Sequence, residues 1–423
     1  MTYLSAGEKN MKEFLTKEEE NLFIKIQNEF LRPVSDKGEA LAYFCGNSLG
    51  LQPKGATAAI SEVLKDWSEL AVDGHFKARR RWYDYPSLLT PSLAKLCGAK
   101  ESEVAAMGTL TGNLHLMLVS FFQPEGKRTK ILMEAGAFPS DHYAVETQLK
   151  FHGLNPSENI IEVFPREGED SLRTEDILKA IHNHSDELAL VLFSGVQFLS
   201  GQAFDIQAIT AAAHSIGAKA GFDLAHAIGN IRLELHQWNV DFAVWCSYKY
   251  LNGGPGSVAG IFVHERYASD NSLPRFGGWF GHDESRRFLL EKGFNPILGA
   301  RGWQLSNENI LSLAAIRASL ELFDLVNPDL LEKRRNLLNY KLQEIINQFQ
   351  EILTITPKSR GAQISVKLRT GNEKALFAHL RDNGVVVDFR EPGILRMAAT
   401  PLYTTENDII TLEAALKTFF RGQ

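Results

Sequence analysis

Lys249 stands in "SYKYLNGGPG" (247–256), directly after the apolar run "VDFAVWC" and with a tyrosine on either side. An ammonium is costly to strip of water. A lysine where a buried strand runs into a glycine-rich turn therefore either opens a wet loop or serves chemistry. Upstream, "GFDLAHA" ends an apolar run at Asp223, with His226 three residues on. "AFPSDHY" offers Phe138, Asp141 and His142 after another such run. Singly, each has a plain structural reading: Asp223 as a helix N-cap, His226 as a satisfied core histidine, Lys249 as an exposed strand end.

Together they suit one cofactor. Pyridoxal 5′-phosphate needs a lysine amine for its Schiff base and an acid facing its ring nitrogen. The acid keeps that nitrogen protonated, so the ring can draw electrons. The lysine becomes nucleophilic by losing its proton, which partial desolvation encourages. Phe138 supplies a face on which such a ring can stack. "GTLTGNLH" (108–115) brings small and hydroxyl residues to a helix start, whose free N–H groups favour a phosphate. It is not a P-loop, because G-x-x-x-x-G-K-[ST] does not occur.

These residues need elements to hold them at strand ends. "KILMEAGAF", "ALVLFSGV", "KAGFDLAHA" and "VDFAVWC" read as strands, and "IQAITAAAHSIG" as a helix stopped at Gly217. This rhythm predicts a three-layer α/β/α large domain with a mostly parallel sheet, whose ligands sit beyond the carboxyl ends of the strands. After "NPDLLEKRR" a long helix precedes the short strands "LTITPK", "AQISVKL", "GVVVDFR" and "GILRMAAT", interleaved with the helix "EKALFAHLRD". That predicts a smaller α+β C-terminal domain. At the front, Phe14, Leu22, Phe23, Ile26 and Phe30 fall at helical spacing. The expected division is a helical arm over 1–60 packing on the small domain, a large cofactor-binding domain over 61–315 and a small domain over 316–423.

Composition narrows the class. The 423 residues are 44% hydrophobic and 23% charged, with a net charge of −6. That is the profile of a globular protein with no electrostatic case for a nucleic-acid partner. "KARRR" (77–81) reads as a solvated face or a subunit contact. Three scattered cysteines, Cys45, Cys97 and Cys246, argue against a disulfide framework or a zinc site; no metal is expected. The N-terminus lacks a secretory pattern, and no apolar run is long enough to span a membrane. A cytoplasmic location is expected.

The blocks "YFCGNSLG", "LTGNLHLML", "AFPSDHYA", "FSGVQFLSGQ", "GFDLAHAIGN", "WCSYKYLNGGPG", "GGWFGH", "LSNENI" and "ILRMAATPLY" resemble, in order, the kynureninase family of fold-type I pyridoxal-phosphate enzymes. The resemblance runs from Tyr43 to Tyr403. It implies hydrolytic Cβ–Cγ cleavage of L-kynurenine or 3-hydroxy-L-kynurenine to L-alanine and the matching anthranilate. It also implies a homodimer with shared sites. Lys249 would carry the cofactor and shuttle protons, Asp223 would face the ring nitrogen beside Asp141, and Phe138 would stack on the ring. Leu110, Thr111, Ser194 and Tyr248 would hold the cofactor and its phosphate, with His226 close by. Trp279 and Asn307 would come from the partner subunit. Arg396 would clamp the substrate carboxylate, with Ser48 beside it, and Tyr248 would serve as acid or base. His75, Ser306 and Asn307 resemble the polar set of members that prefer 3-hydroxykynurenine.

Two other readings compete. A cysteine desulfurase or a transaminase shares the Asp…Lys core, but a desulfurase needs a reactive cysteine on a mobile loop. A non-catalytic pyridoxal-phosphate-binding module generally comes fused to a DNA-binding segment, and no helix-turn-helix pattern is visible in the first 40 residues.

Overall fold

The computed structural model describes residues 15–421. Phe14, expected on the apolar face of the arm, lies outside the described residues. The arm helix Lys17–Gln27 starts at a capping box. The Thr16 hydroxyl accepts from the Glu19 N–H, the Glu19 carboxylate accepts from the Thr16 N–H, and Phe23 and Ile26 are buried. Strand β1 (Ala42–Tyr43) follows.

Seven strands then build the main sheet. They are β2 (Val104–Ala106), β3 (Lys130–Glu134), β4 (Ile160–Val163), β5 (Leu188–Ser194), β6 (Lys219–Asp223), β7 (Phe242–Trp245) and β8 (Gly260–Val263). Their spatial order is β2-β8-β7-β6-β5-β3-β4. Strands β4, β3, β5, β6 and β7 pair in parallel; β8 is antiparallel to both its neighbours.

Burial on both faces explains the near-continuous apolar runs. Ala243 and Trp245 of β7 join one core with helices Gly55–Leu70, Ile206–Ser215 and Ile310–Phe323. Phe242 and Val244 of the same strand join a second core with helices Leu110–Phe121 and Pro139–Phe151. A period of two thus sorts one strand's side chains into two layers. Helix Ile206–Ser215 ends as its pattern predicts, with Gly217 at φ +78°.

The C-terminal sheet is antiparallel, in the order β12-β13-β10-β9: β9 (Ile352–Thr354), β10 (Gln363–Leu368), β12 (Asp388–Arg390) and β13 (Ile394–Ala398). Helices Pro328–Ile346, Glu373–Asp382 and Glu406–Arg421 share its core. The last helix and strands β2, β4 and β8 were not among the sequence assignments. Strand β11 (Val385–Val386) pairs in parallel with β1, and Ala42 and Phe44 enter the C-terminal core. Arg32 of the arm donates to Asp408 at 2.7 Å. The boundaries expected at 60/61 and 315/316 fall inside helices Gly55–Leu70 and Ile310–Phe323, which pack on each other.

The basic run at 77–81 is neutralised locally. Lys77 pairs with Asp73, Arg79 with Asp66, Arg80 with Glu62 and Arg81 with Asp84. At the edge of the sheet away from Lys249, buried Glu103 accepts from the N–H groups of Lys100 and Glu265 and contacts His236 at 2.9 Å. That cluster ties the start of β2 to the end of β8.

Candidate active site

Three parallel strands end side by side, β5 at Ser194, β6 at Asp223 and β7 at Trp245, and the chain beyond β7 turns to present Lys249. This turn is tightly held. The Asn252 N–H donates to the Lys249 carbonyl at 3.0 Å, and the Gly253 N–H to the Ser247 carbonyl at 2.8 Å. The "YFCGNSLG" segment lies against it, with the Gly50 N–H donating to the Tyr248 carbonyl at 2.8 Å. A Cβ at Gly50 would stand 2.4 Å from the Lys249 carbonyl oxygen, so only glycine permits this approach.

A cavity opens at these strand ends. Leu110, Thr111, Phe138, Asp141, Ser194, Asp223, His226, Tyr248 and Lys249 all line it, every one of them expected from the sequence. The Lys249 ammonium lies 3.1 Å from Nε2 of His226 and 5.6 Å from the centre of the Phe138 ring. Phe138 packs edge-on against Phe198 at 5.2 Å. Leu110 and Thr111 open helix Leu110–Phe121, so their N–H groups have no acceptor within the helix. The Thr111 hydroxyl meets that of Ser140 at 2.7 Å. His142 points elsewhere, to Glu146 at 3.1 Å.

The electrostatics are unusual for a folded interior. Asp223 and Asp141 are both buried and in contact. Burial raises both above the ordinary carboxylate range, and each carboxylate next to the other holds Asp141 up further. Lys249 and the Ala225 N–H, which donates to Asp223 at 2.6 Å, pull Asp223 partly back. Burial, with Lys249 and Arg396 nearby, drives His226 well below its usual range, so the ring is neutral. Tyr248 is raised, chiefly by burial.

Sequence reasoning passed over one buried acid here. Glu134 ends β3 as Asp223 ends β6, and that parallel was the signal available. Its carboxylate accepts from the Ser194 hydroxyl at 2.5 Å and from the Ser194 N–H at 3.2 Å. Burial pushes its pKa up to about 7. Val196, Phe198, Ser140 and Ala225 also line the cavity and were not singled out.

The remaining expected residues do not line it within one chain. Arg396 is buried at 1% exposure, donating to the Phe198 carbonyl at 2.7 Å and pairing with Asp388. Ser48 donates to the same Asp388 at 2.7 Å. Trp279 is exposed and donates to the Arg287 carbonyl. Ser306 and Asn307 are exposed, though neighbouring Glu308 accepts from the Gly108 N–H at 3.0 Å, close to the start of the Leu110 helix. His75 packs edge-on against Trp82 at 5.5 Å.

Residues 330–416 match the family model described as the kynureninase C-terminal domain. A kynureninase of Flavobacterium johnsoniae is 50% identical over 94% of this chain and 95% of its own length. One from Stenotrophomonas maltophilia is 51% identical over 91% and 92%, and one from Nematostella vectensis 45% identical over 93% and 91%. Among solved structures, the apo cysteine desulfurase of Thermococcus onnurineus superposes with a TM-score of 0.76 at 16% identity, over 95% of this chain and 98% of that one. A C-DES mutant with glycine covalently linked to its pyridoxal-phosphate cofactor gives 0.75 at 16% identity, over 89% and 96%. At such identity the likeness speaks for the fold, that of fold-type I enzymes.

Proposed function

The chain belongs to the kynureninase family, and on that premise we propose that it hydrolyses the Cβ–Cγ bond of L-kynurenine or 3-hydroxy-L-kynurenine, with pyridoxal 5′-phosphate, to L-alanine and the matching anthranilate. The observation that carries this reading is the single buried cavity in which Lys249 meets paired acids, Asp223 and Asp141.

The residues fit the cofactor. Two neighbouring buried carboxylates, one with an oxygen (Asp141 Oδ1) that lacks any partner among the described residues, call for a cationic N–H donor. A protonated pyridine nitrogen is such a donor. Phe138 offers a ring face, and the helix start at Leu110 and Thr111 suits the phosphate. When bound, the cofactor supplies an electron sink for charge developing at the substrate's α-carbon.

The chain's own groups do the rest. Lys249 anchors the cofactor through its amine and afterwards takes the α-proton at Nζ. Neutral His226 accepts a hydrogen bond from that nitrogen and so orients it in the cavity. Tyr248, held protonated by burial, can give its phenolic proton to a substrate oxygen or carbon. Arg396 faces the substrate carboxylate in this reading, its guanidinium prepositioned by Asp388.

A second protomer completes the site. His75, Phe76, Tyr83, Phe288 and Trp279 form a chain of ring contacts at the surface, with Phe76 55% and Phe288 61% exposed. An exposed aromatic patch of this extent suits a subunit interface. Trp279, Asn307, Ser306 and His75 then reach the partner's cavity, and a polar set of this kind favours 3-hydroxykynurenine over kynurenine. The separate C-terminal core supports a small domain distinct from the large one. Three free thiols suit a reducing, cytoplasmic setting, and no helix among the described residues is long and apolar enough to cross a membrane.

A desulfurase reading finds less support. Cys97 and Cys246 are buried, and burial pushes the Cys45 thiol up to about 12, the reverse of activation.

Borohydride reduction followed by peptide mapping tests the anchor, and side-by-side release of anthranilate and 3-hydroxyanthranilate tests the reaction. A reduced cofactor on the Lys249 peptide and product from wild type but not Lys249→Ala are expected. Sulfide release without either anthranilate would reject the reading.

A further inference from the structure

A second cleft lies behind the turn that bears His226, between the large domain and the small one. Its walls are helix Pro328–Ile346, the segment at Ile231 and Arg232, and the loop Lys358–Arg360 leading into β10. Four basic side chains line it, Arg232, Arg335, Lys358 and Arg360, against two acids, Glu332 and Glu344. A local positive excess in a chain of net charge −6 needs a cause.

The basic groups are unequally neutralised. Arg232 is spent on Glu234 and Asp329. Arg335 is 6% exposed. It donates to the Asn230 carbonyl at 3.1 Å and to Glu332 at 2.8 Å, and its Nε–H is buried without a partner. Arg360 donates only to the neutral Gln343 side chain, at 3.1 Å. Among the described residues neither Arg360 nor Lys358 has a carboxylate partner. Arg360 is half-buried; burial first, then repulsion from Arg335, lowers its pKa. Arg335 and Arg360 repel each other across a cleft whose acids are Glu332, already taken by Arg335, and Glu344, so the pair suits an anion.

The loop is prepositioned rather than loose. Arg360 pairs with Gln202 as an antiparallel bridge, the Ala203 N–H donates to the Ser359 carbonyl at 3.0 Å, and Asn339 donates to the Gly361 carbonyl at 2.8 Å. Both walls are therefore fixed to the domains that carry them, which lowers the entropy lost on binding.

We propose that this cleft binds a small dianionic oxyanion, a phosphate monoester or a dicarboxylate, on the side chains of Arg335, Lys358 and Arg360. Binding there brings charge-assisted hydrogen bonds to the two cations that lack an acid. It also reaches the network of the catalytic pocket, because Asn230, which accepts from Arg335, donates to the His226 carbonyl at 2.7 Å. The site does not depend on the catalytic reading of that pocket.

Calorimetric titration of the cofactor-loaded protein with inorganic phosphate and, separately, malonate tests it at constant ionic strength. Phosphate heat points to a phosphate monoester as the physiological source, malonate heat to a dicarboxylate, and either supports the site. The variant Lys358→Gln/Arg360→Gln is expected to bind at least about tenfold more weakly. Glu344→Gln, which removes an acid from the same wall, is expected to bind more tightly. No heat from either anion, or one affinity shared by wild type and both variants, would overturn the proposal.

Discussion

Nε2 of His226 lies 3.1 Å from the Lys249 ammonium, while Nδ1 of the same ring is buried with no partner among the described residues. With Nε2 accepting, the neutral ring carries its proton at Nδ1, and a second proton would put two cations in contact.

This relationship sets a pH dependence. Burial, then Lys249 and Arg396, depress the His226 pKa in the folded state. The unfolded chain takes up that proton near the usual ~6.5, so the stability due to the neutral ring is present above ~6.5 and is lost as pH falls below it. Urea unfolding between neutral and mildly acidic pH should show wild type weakening faster than His226→Gln. Equal slopes would mean that the ring titrates normally.

Glu134 should do the opposite. Its folded pKa is raised to about 7 by burial, so its contribution is present below the unfolded carboxylate range and is lost as pH rises through about 7. Glu134→Gln in the cofactor-free chain should flatten the fall in stability as pH rises from the unfolded carboxylate range to about 7, by on the order of 3 kcal/mol. Chemical denaturation at a series of pH values measures this directly.

The central strands and the acid and lysine of the pocket were legible from a local signal, an apolar run followed by a polar group no core would want, whereas Ser194 and Tyr248 came only with the family resemblance. Asp223 and Lys249 both have that form. Glu134 has it too, but a Glu after "KILM" reads as an ordinary strand end until Ser194 on the neighbouring strand is seen to bind it. Strands β2 and β8, of three and four residues, are too short for periodicity to find. Arg396 came with the family resemblance, and its tie to Asp388 depends on an antiparallel pairing that places those two residues opposite each other.

That tie predicts a stability cost. Arg396 is nearly inaccessible and Asp388 only slightly less so. Arg396→Leu leaves the Asp388 carboxylate with only the exposed Arg390 and the Ser48 hydroxyl as partners, and should destabilise the protein by about 1–3 kcal/mol. Arg396→Leu/Asp388→Leu should recover much of that loss in urea unfolding while leaving activity absent. An unrecovered double variant would assign the cost to packing instead.

Tyr248 tests proton transfer. Its phenol is adjacent in sequence to Lys249, lines the cavity and is raised chiefly by burial, so it remains a proton donor throughout the working pH range. Tyr248→Phe keeps the ring and removes the proton. Turnover should fall by ~10²–10⁴-fold, the usual worth of general acid–base help. The visible absorbance of bound cofactor should be unchanged. Loss of absorbance together with activity would make the hydroxyl a binding group.

The shared site has a test that needs no structure of the dimer. Lys249 lines the cavity, whereas Asn307 is exposed on the same chain. If Asn307 serves the partner's cavity, Lys249→Ala and Asn307→Ala homodimers each have two defective sites. Refolding them together places both lesions in one site of each mixed dimer and leaves the other intact. Random mixing of a two-fold dimer should then restore about a quarter of wild-type turnover from two nearly inactive parents. If both residues instead serve the same chain's cavity, each site in the mixture still carries one lesion and activity stays at the parental level. The two arrangements therefore differ in a single rate measurement, made on proteins that differ from wild type by one side chain each.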